Sequence, residues 1–340
     1  YTTIDDPLQY FNTVLYTGNG SSTHAITGVG FQPDFLWIKS RSAATRHSLQ
    51  NSVAGITNFL RNGTNAEATG GVKTADSDGF TVDDSGMVNA NSETFVSWNW
   101  LAGGSASSNG DGDITSSVSA GSTQGFSIVS YTGNGSAGAT VGHGLGSKPK
   151  VIIVKIRSTT DHWIFYNENS GATKNLRLNS NDALITAGGP FNNTEPTSSL
   201  FTLGSGSATN TNSATFIAYC FAEKKGYSKF GSYTGNGNSD GTFVYTGFRP
   251  AWVLLKRTDA AENWPLFDNK RRPSNNVGNN FLYADLDNAD DSSTDFDMFS
   301  NGFKIRTASN LMNGSGASYI YMAFAHSPLV NSKGVPNNAR

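Results

Sequence analysis

Tyr16-Thr17-Gly18-Asn19-Gly20 recurs as Tyr131-Thr132-Gly133-Asn134-Gly135 and again as Tyr233-Thr234-Gly235-Asn236-Gly237. The intervals are 115 and 102 residues, a period of domain size rather than solenoid size. A motif met once can be a site, but one met three times at this spacing is scaffold first. The sequence therefore predicts an all-β chain of three tandem antiparallel β-sandwich, jelly-roll-like repeats. They span 10–104, 125–224 and 225–328, with a Gly/Ser/Asp-rich linker over 105–124 and a polar tail over 329–340.

Outward from the motif, each unit gives the same series of strand candidates. A first strand leads into the turn, and Asn-Gly, which adopts positive φ at low cost, predicts a tight hairpin there. A proline then opens an apolar run ending in lysine: 33–39, 149–155 and 250–256. Lack of alternation in these runs predicts strands covered on both faces. Lys39, Lys155 and Lys256 read as charges placed where the strand reaches water. Arg46-His47, His162-Trp163 and Asn263-Trp264 share a register near a third strand. A fourth element holds 57–61, 173–177 and 279–283, and 52–60 is open to a helical turn as well. A fifth strand contains Phe80, Phe201 and Phe303. The last, 95–100, 216–221 and 319–324, alternates: Val96, Trp98 and Trp100 share one face, and Phe95, Ser97 and Asn99 the other. Trp98 and Trp100 are expected in the core. Within the linker, 114–118 could form a short strand.

Composition excludes several classes. Charged residues make up only 15% of the 340 residues, with 24 Lys+Arg against 26 Asp+Glu and no basic block. That argues against nucleic-acid binding. No stretch has the ~20 apolar residues of a spanning helix, so no membrane insertion is expected. The lone cysteine, Cys220, lies in an apolar run and reads as a small core residue. The sequence opens on Tyr1 rather than methionine, which fits a missing or trimmed N-terminal part, and it shows no signal-peptide apolar region.

No catalytic, cofactor or metal residues are predicted. The Glu-x-Asp-x-x-Glu spacing of sandwich-fold glycanases is missing, and the acids cluster in loops instead. His24, His47, His143, His162 and His326 show no close metal spacing, and no nucleophile elbow or phosphate loop is present. The chain is read as not an enzyme. Residues 109–113 and 285–291 carry enough oxygen ligands to raise calcium as an alternative to a solvated acidic turn.

As a set, the turn motif, Gly28-Val29-Gly30-Phe31-Gln32-Pro33, Trp98-Asn99-Trp100-Leu101-Ala102-Gly103-Gly104, Gly142-His143-Gly144-Leu145-Gly146 and Tyr219-Cys220-Phe221-Ala222-Glu223 resemble a repeat of virion proteins from marine tailed bacteriophages. These are mostly tail-fibre-like, and the likeness covers residues 10–328. The resemblance implies a non-enzymatic structural part of a virus particle, located in the virion. It would partner other virion proteins, form a homo-oligomer (a trimer if a fibre) and contact host-surface glycans. Alternatives are a head or tail decoration protein and, less favoured, a polysaccharide depolymerase. Candidate contact residues sit in loops that differ between units: Arg41, Arg46 and His47; Asp161 and His162; Asp259, Glu262, Asn263 and Lys270-Arg271-Arg272.

Overall fold

β-Branched and aromatic runs bounded by Gly, Asn and Pro make strands, and antiparallel strands dominate the chain. The computed structural model describes residues 2–186, 188–271, 279–293 and 295–336. The first unit contains β1 (Phe11–Thr17), β2 (His24–Thr27), β3 (Phe35–Ser40), β4 (Ser48–Asn51), β5 (Asn58–Leu60), β6 (Ala68–Thr69), β7 (Val72–Asp76), β8 (Gly79–Val82) and β9 (Thr94–Trp100). β10 (Ser107–Asn109) and β11 (Ser116–Gly121) follow. The second unit has β12 (Phe126–Thr132), β13 (Thr140–Gly142), β14 (Val151–Ile156), β15 (Ile164–Asn167), β16 (Leu176–Arg177), β17 (Leu200–Thr202) and β18 (Thr215–Phe221). The third has β19 (Ser228–Thr234), β20 (Phe243–Tyr245), β21 (Phe248–Arg257), β22 (Pro265–Asp268), β23 (Asn279–Tyr283), β24 (Asp291–Ser293), β25 (Phe296–Phe299), β26 (Gly302–Ile305) and β27 (Ser318–Pro328).

Each unit builds one large and one small sheet. The large sheets run β1-β9-β3-β4-β5-β6, β10-β11-β12-β18-β14-β15-β16 and β19-β27-β21-β22-β23-β24, and the small ones β2-β8-β7, β13-β17 and β20-β26-β25. Each unit's last strand inserts between its first and its proline-led strand in the large sheet. The fold is an all-β antiparallel sandwich.

The sandwiches are not beads on a string. One face of each large sheet packs on its own small sheet: Leu36 and Ile38 join Phe80 and Val82, and Ile152 and Val154 join Phe201. The opposite faces of all three large sheets meet in one cluster. Phe35, Trp37, Trp98 and Trp100 lie there with Ile153, Tyr219 and Phe221, and with Trp252, Leu254 and Phe324. Rings touch across units at 4.4 Å (Phe35–Tyr219), 5.0 Å (Phe165–Trp264), 5.3 Å (Phe11–Phe324) and 5.6 Å (Trp100–Trp252). The central cavity that remains is about 10 Å³, room for about one water. Each buried ring contributes roughly 1.5–3 kcal/mol by area, against about 0–1 for an exposed ion pair. The shared apolar centre, not the surface charges, holds the units together.

Two expectations need correction here. Residues 105–124 are not a free spacer. β11 pairs with β12, extending the second large sheet, and Ile114 and Val118 join that unit's core. A strand forms at 116–121 rather than 114–118 because its register is set by pairing with 126–130. Nor does 52–60 form a helix, since Asn58–Leu60 is strand β5.

The tyrosine-led motif also does something other than close a hairpin. β1 and β2 lie in different sheets, so the turn is a corner carrying the chain from large sheet to small. A buried asparagine clasps it. Asn89 Oδ1 accepts from Asn19 N at 2.9 Å, and its Nδ2 donates to the carbonyls of Ser21 and Asp83. Asn210 and Asn313 make the same bonds to Asn134 and Asn236. The tyrosine hydroxyls anchor the corner on Val88, Thr209 and Met312 carbonyls at 2.7–2.8 Å. A Cβ on Gly18, Gly133 or Gly235 would lie 2.2–2.4 Å from a carbonyl oxygen, so only glycine fits under the clasp.

Because the three sheets share one core, unfolding should be a single calorimetric transition with equal calorimetric and van't Hoff enthalpies. Trp98→Ala should cost roughly 3–5 kcal/mol and lower that one transition as a whole. Separate melting of one unit would contradict the shared core.

Candidate functional site

The recurring polar residues sit at the seams between units. Lys39, Lys155 and Lys256 are all fully buried, so the expectation that they reach water is overturned. Each β-strand ends under a neighbouring loop whose carbonyls replace solvent. Lys155 Nζ donates to Thr64 O of the first unit at 3.1 Å and to Asp161 O at 2.9 Å. Lys256 Nζ donates to Asn181 O of the second unit at 3.0 Å and to the Glu262 carbonyl. Lys39 Nζ binds Ser40 O and Ala43 O, and feels Asp287 and Asp290 of the third unit. Burial pushes all three ammonium groups down to about 8.

Backbone bonds close the same ring. Glu67 N donates to Arg157 O, Leu184 N to Thr258 O and Asp290 N to Arg41 O, at 2.7–2.9 Å. These join first to second, second to third and third to first. His47, Trp163 and Trp264 occupy one column, and each reaches a carbonyl of the neighbouring unit: Leu286, Arg61 and Ser180. His47 is also held by Trp37 Nε1 at 2.7 Å. Burial pushes its imidazole down to about 3. It is a seam residue, not a loop contact. Asp285 accepts from Trp264 N at 2.9 Å, as Asn62 and Asn179 do from His47 N and Trp163 N. Burial pushes the Asp285 carboxyl up to about 6.

The first–third seam carries a buried charge network. Arg271, fully buried, bonds Asp268 at 2.5 Å and Asp290 at 2.7 Å; Asp290 also pairs with Arg41 at 2.8 Å. Asp268 accepts from Trp98 Nε1 at 3.0 Å, across units. In the equivalent place Asn51 donates to Tyr219 OH at 3.0 Å. The third equivalent, Asn167, corresponds across its seam to Met322, whose thioether is only a weak acceptor, and its Nδ2 is buried without a partner among the described residues.

Most residues expected to face a host are thus structural. Arg41, His47 and the backbones of Asp161 and Glu262 bind neighbouring units, and Arg271, paired within its own unit, lies over the Trp98 ring of the first at 5.4 Å. Asp259 pairs with Arg257 at 2.8 Å and His162 with Asn179. Arg46 reaches Asn65 and Asp287 and stays half exposed. Asn263 is half buried beside Trp264, and Lys270 N donates to Asp268. Arg272 lies outside the described residues. The acidic loops are likewise engaged: Asn109 with Asp111, Asp113 with Thr140, and the later acids with Arg41, Arg46, Arg271 and Trp264 N. Among the described residues no group of three His, Cys, Asp or Glu side chains is placed to hold a metal. Cys220 is buried, and burial raises its thiol pKa.

One surface feature departs from the threefold plan. A cleft of about 370 Å³ opens between the start of β19 and β20, lined by Thr2, Glu223, Lys225, Lys229, Tyr245 and Leu329 among others. Tyr245 is 53% exposed and Phe243 43%, with Val244 buried between them at 6%. Lys229 Nζ stands 5.7 Å from the Tyr245 ring centroid. The sequence carries a signal for this place. Where β20 reads Phe-Val-Tyr, β2 reads Ala25-Ile26-Thr27 and β13 reads Thr140-Val141-Gly142. Val244, Ile26 and Val141 align because each pairs with the phenylalanine of the adjoining strand.

The chain belongs to the family described as a domain of unknown function (DUF7483), whose model matches residues 6–328. A single family model therefore spans all three units. Neither the curated proteins nor the solved structures give a match.

Two measurements probe the seams. The three lysines titrate near pH 8 when folded against 10.5 when free. Between those values the unfolded state holds more protons, so folding gains stability as pH rises. Lys155→Met should therefore lose ground to the wild type from pH 8 to 10.5 in urea midpoints, whereas a pH-independent gap would mean a solvated ammonium. Arg271→Met leaves the buried Asp268 carboxylate without its counter-charge and Asp290 with Arg41 alone, and should cost about 3–5 kcal/mol. Loss of the exposed Arg257–Asp259 pair should cost under about 1 kcal/mol.

Proposed function

We propose that this chain is a non-enzymatic structural component of a bacteriophage virion, part of an appendage that contributes to host-surface attachment. The observation that carries the reading is the closed ring: one chain encircles its own aromatic core and ties each unit to both others. Such a body resists unfolding by making every unit depend on its neighbours, which suits a part exposed outside a cell. The motifs quoted above for their likeness to tail-fibre-like virion proteins coincide with its framework residues. Tyr16, Tyr131 and Tyr233 anchor the corners, and Trp98, Trp100, Tyr219 and Phe221 form the core.

Its carboxylates support a structural role. Glu67 makes a two-bond pair with Arg157 at 2.8 Å across the first–second seam. Glu195 takes Tyr166 OH at 2.5 Å and Lys148 at 3.2 Å. Both carboxylates are engaged by partners within the chain. A decoration protein that binds only other virion subunits is the second reading. The cyclic arrangement of the three units favours it, since such a body presents three related faces to a threefold partner.

Electron microscopy of purified tailed-phage particles carrying the chain tests both readings, with a tag inserted in the exposed 238–240 loop. Density for the tag on a fibre or baseplate is the expected result. Tag density over the head would shift the assignment to decoration, and particles lacking the chain would sink both.

A further inference from the structure

Triplication gives an internal control: what all three units share is framework, and what one unit alone presents at the surface is free to serve a ligand. The edge strands of the small sheets, β2, β13 and β20, are equivalent. β2 carries small exposed residues there, Ala25 and Thr27, whereas β13, with half-buried Thr140 and buried Gly142, is covered by the segment that bridges Ile114 to Val141. Only β20 turns two large rings to solvent. They are i and i+2 on one pleated face, so their Cα atoms stand about 7 Å apart. Leaving two rings exposed forgoes roughly 1.5–3 kcal/mol each relative to burial, and nothing in the sandwich requires it.

The rings are braced. Phe243 meets Phe299 edge-on at 6.2 Å, and Tyr245 has Lys229 over its face and Gly247 beneath its hydroxyl, where a Cβ would already lie 3.7 Å away. The charge beside them is also particular to this unit. Lys229 corresponds to Asn12 and Ser127, because Ser228, Phe11 and Phe126 pair with equivalent residues of the last strands. Lys225 and Lys229 have no carboxylate partner among the described residues. Glu223 is engaged by Phe230 N at 3.2 Å and Lys150 at 3.6 Å. The cleft therefore has Tyr245 on its wall and a cationic flank, and Phe243 lies beside it on the same pleated face.

We propose that this cleft binds a carboxylate-bearing oligosaccharide, with sugar C–H faces stacked on Tyr245 and Phe243 and a carboxylate held by Lys229 and Lys225. Aromatic faces accept apolar C–H groups while their edges stay wet, and an ammonium beside them selects for negative charge. A neutral sugar would gain nothing from the two lysines, and a monosaccharide would cover only one ring. The assignment rests on the attachment reading above and names the class of surface glycan involved.

The test is isothermal titration with uronate hexamers (polygalacturonate, polymannuronate and hyaluronan), neutral cellohexaose and maltohexaose, and free galacturonate. At least one uronate hexamer should bind, more tightly than any neutral hexamer or the monosaccharide, and more weakly at high salt. Tyr245→Ala should weaken it about tenfold or more. Lys229→Met, which keeps the stem over the ring, should remove the preference for the acid. Leu15→Ala, an exposed apolar change outside the cleft, should alter nothing. All three positions are at the surface, so unchanged melting verifies folding. Failure of every uronate hexamer to bind, or equal binding by Tyr245→Ala, overturns the site. Binding without the chain being found in particles would leave the site standing and remove the virion reading; the reverse would remove the site alone.

Discussion

Each proline-led strand is apolar on both faces, and that double demand organises everything else. A sandwich of one large and one small sheet satisfies only one face. Phe35 and Trp37, Val151 and Ile153, Trp252 and Leu254 all project from the other. Three such faces brought together bury one another, and no unit could be removed without exposing the aromatics of the remaining two. Isolated units would carry exactly the kind of large apolar patch that soluble monomers rarely show. The chain is in effect a covalent trimer, with an interface made of core rather than of surface.

Closing three sheets around a centre creates a second problem at their rims, where strand ends and loops are pressed together away from water. Buried carbonyls there need donors. The aligned lysines supply them, at a desolvation cost visible in their lowered basicity. Equivalent positions solve local variants of the problem differently. Where Trp163 and Trp264 donate an indole N–H, His47 offers an imidazole; where Asn62 and Asn179 accept a backbone N–H, Asp285 does. The first–third seam, which joins the two ends of the array, holds the most charge: Arg41, Asp268, Arg271 and Asp290.

Much of the framework was legible in the sequence because it rests on local pattern. The alternation in 95–100 separates the face bearing Trp98 and Trp100 from that bearing Ser97, and the structure divides them so. Unbroken apolar runs signalled strands covered twice, yet they could not say by what. Partner identity is a long-range property, so three independent sandwiches and one shared core look alike along the chain. The same limit hid the lysines. A cation at the end of a strand usually meets water, and only the loop of another unit, 91 residues away for Lys155 and Thr64, reverses that. Asn-Gly marked a turn correctly but not its purpose. A corner between sheets and a hairpin ask for the same backbone torsions, and the clasping asparagines lie about 70 residues downstream.

The loop residues chosen as contacts show a further consequence of symmetry. Difference between units does not mean freedom from the framework: His47 and Arg271 differ because each seam is sealed by different chemistry, while Arg41 is matched in the second unit by Arg157, and both pair across a seam. Variation at a buried position reports a changed neighbour, while variation at an exposed position reports a changed task. Burial is what tells the two apart. By that criterion His47 and Arg271 return to the scaffold, whereas Phe243, Tyr245 and Lys229 remain outside it. Asymmetry in a triplicated chain carries functional meaning only where the matching positions of the other two copies already show that the fold can do without it.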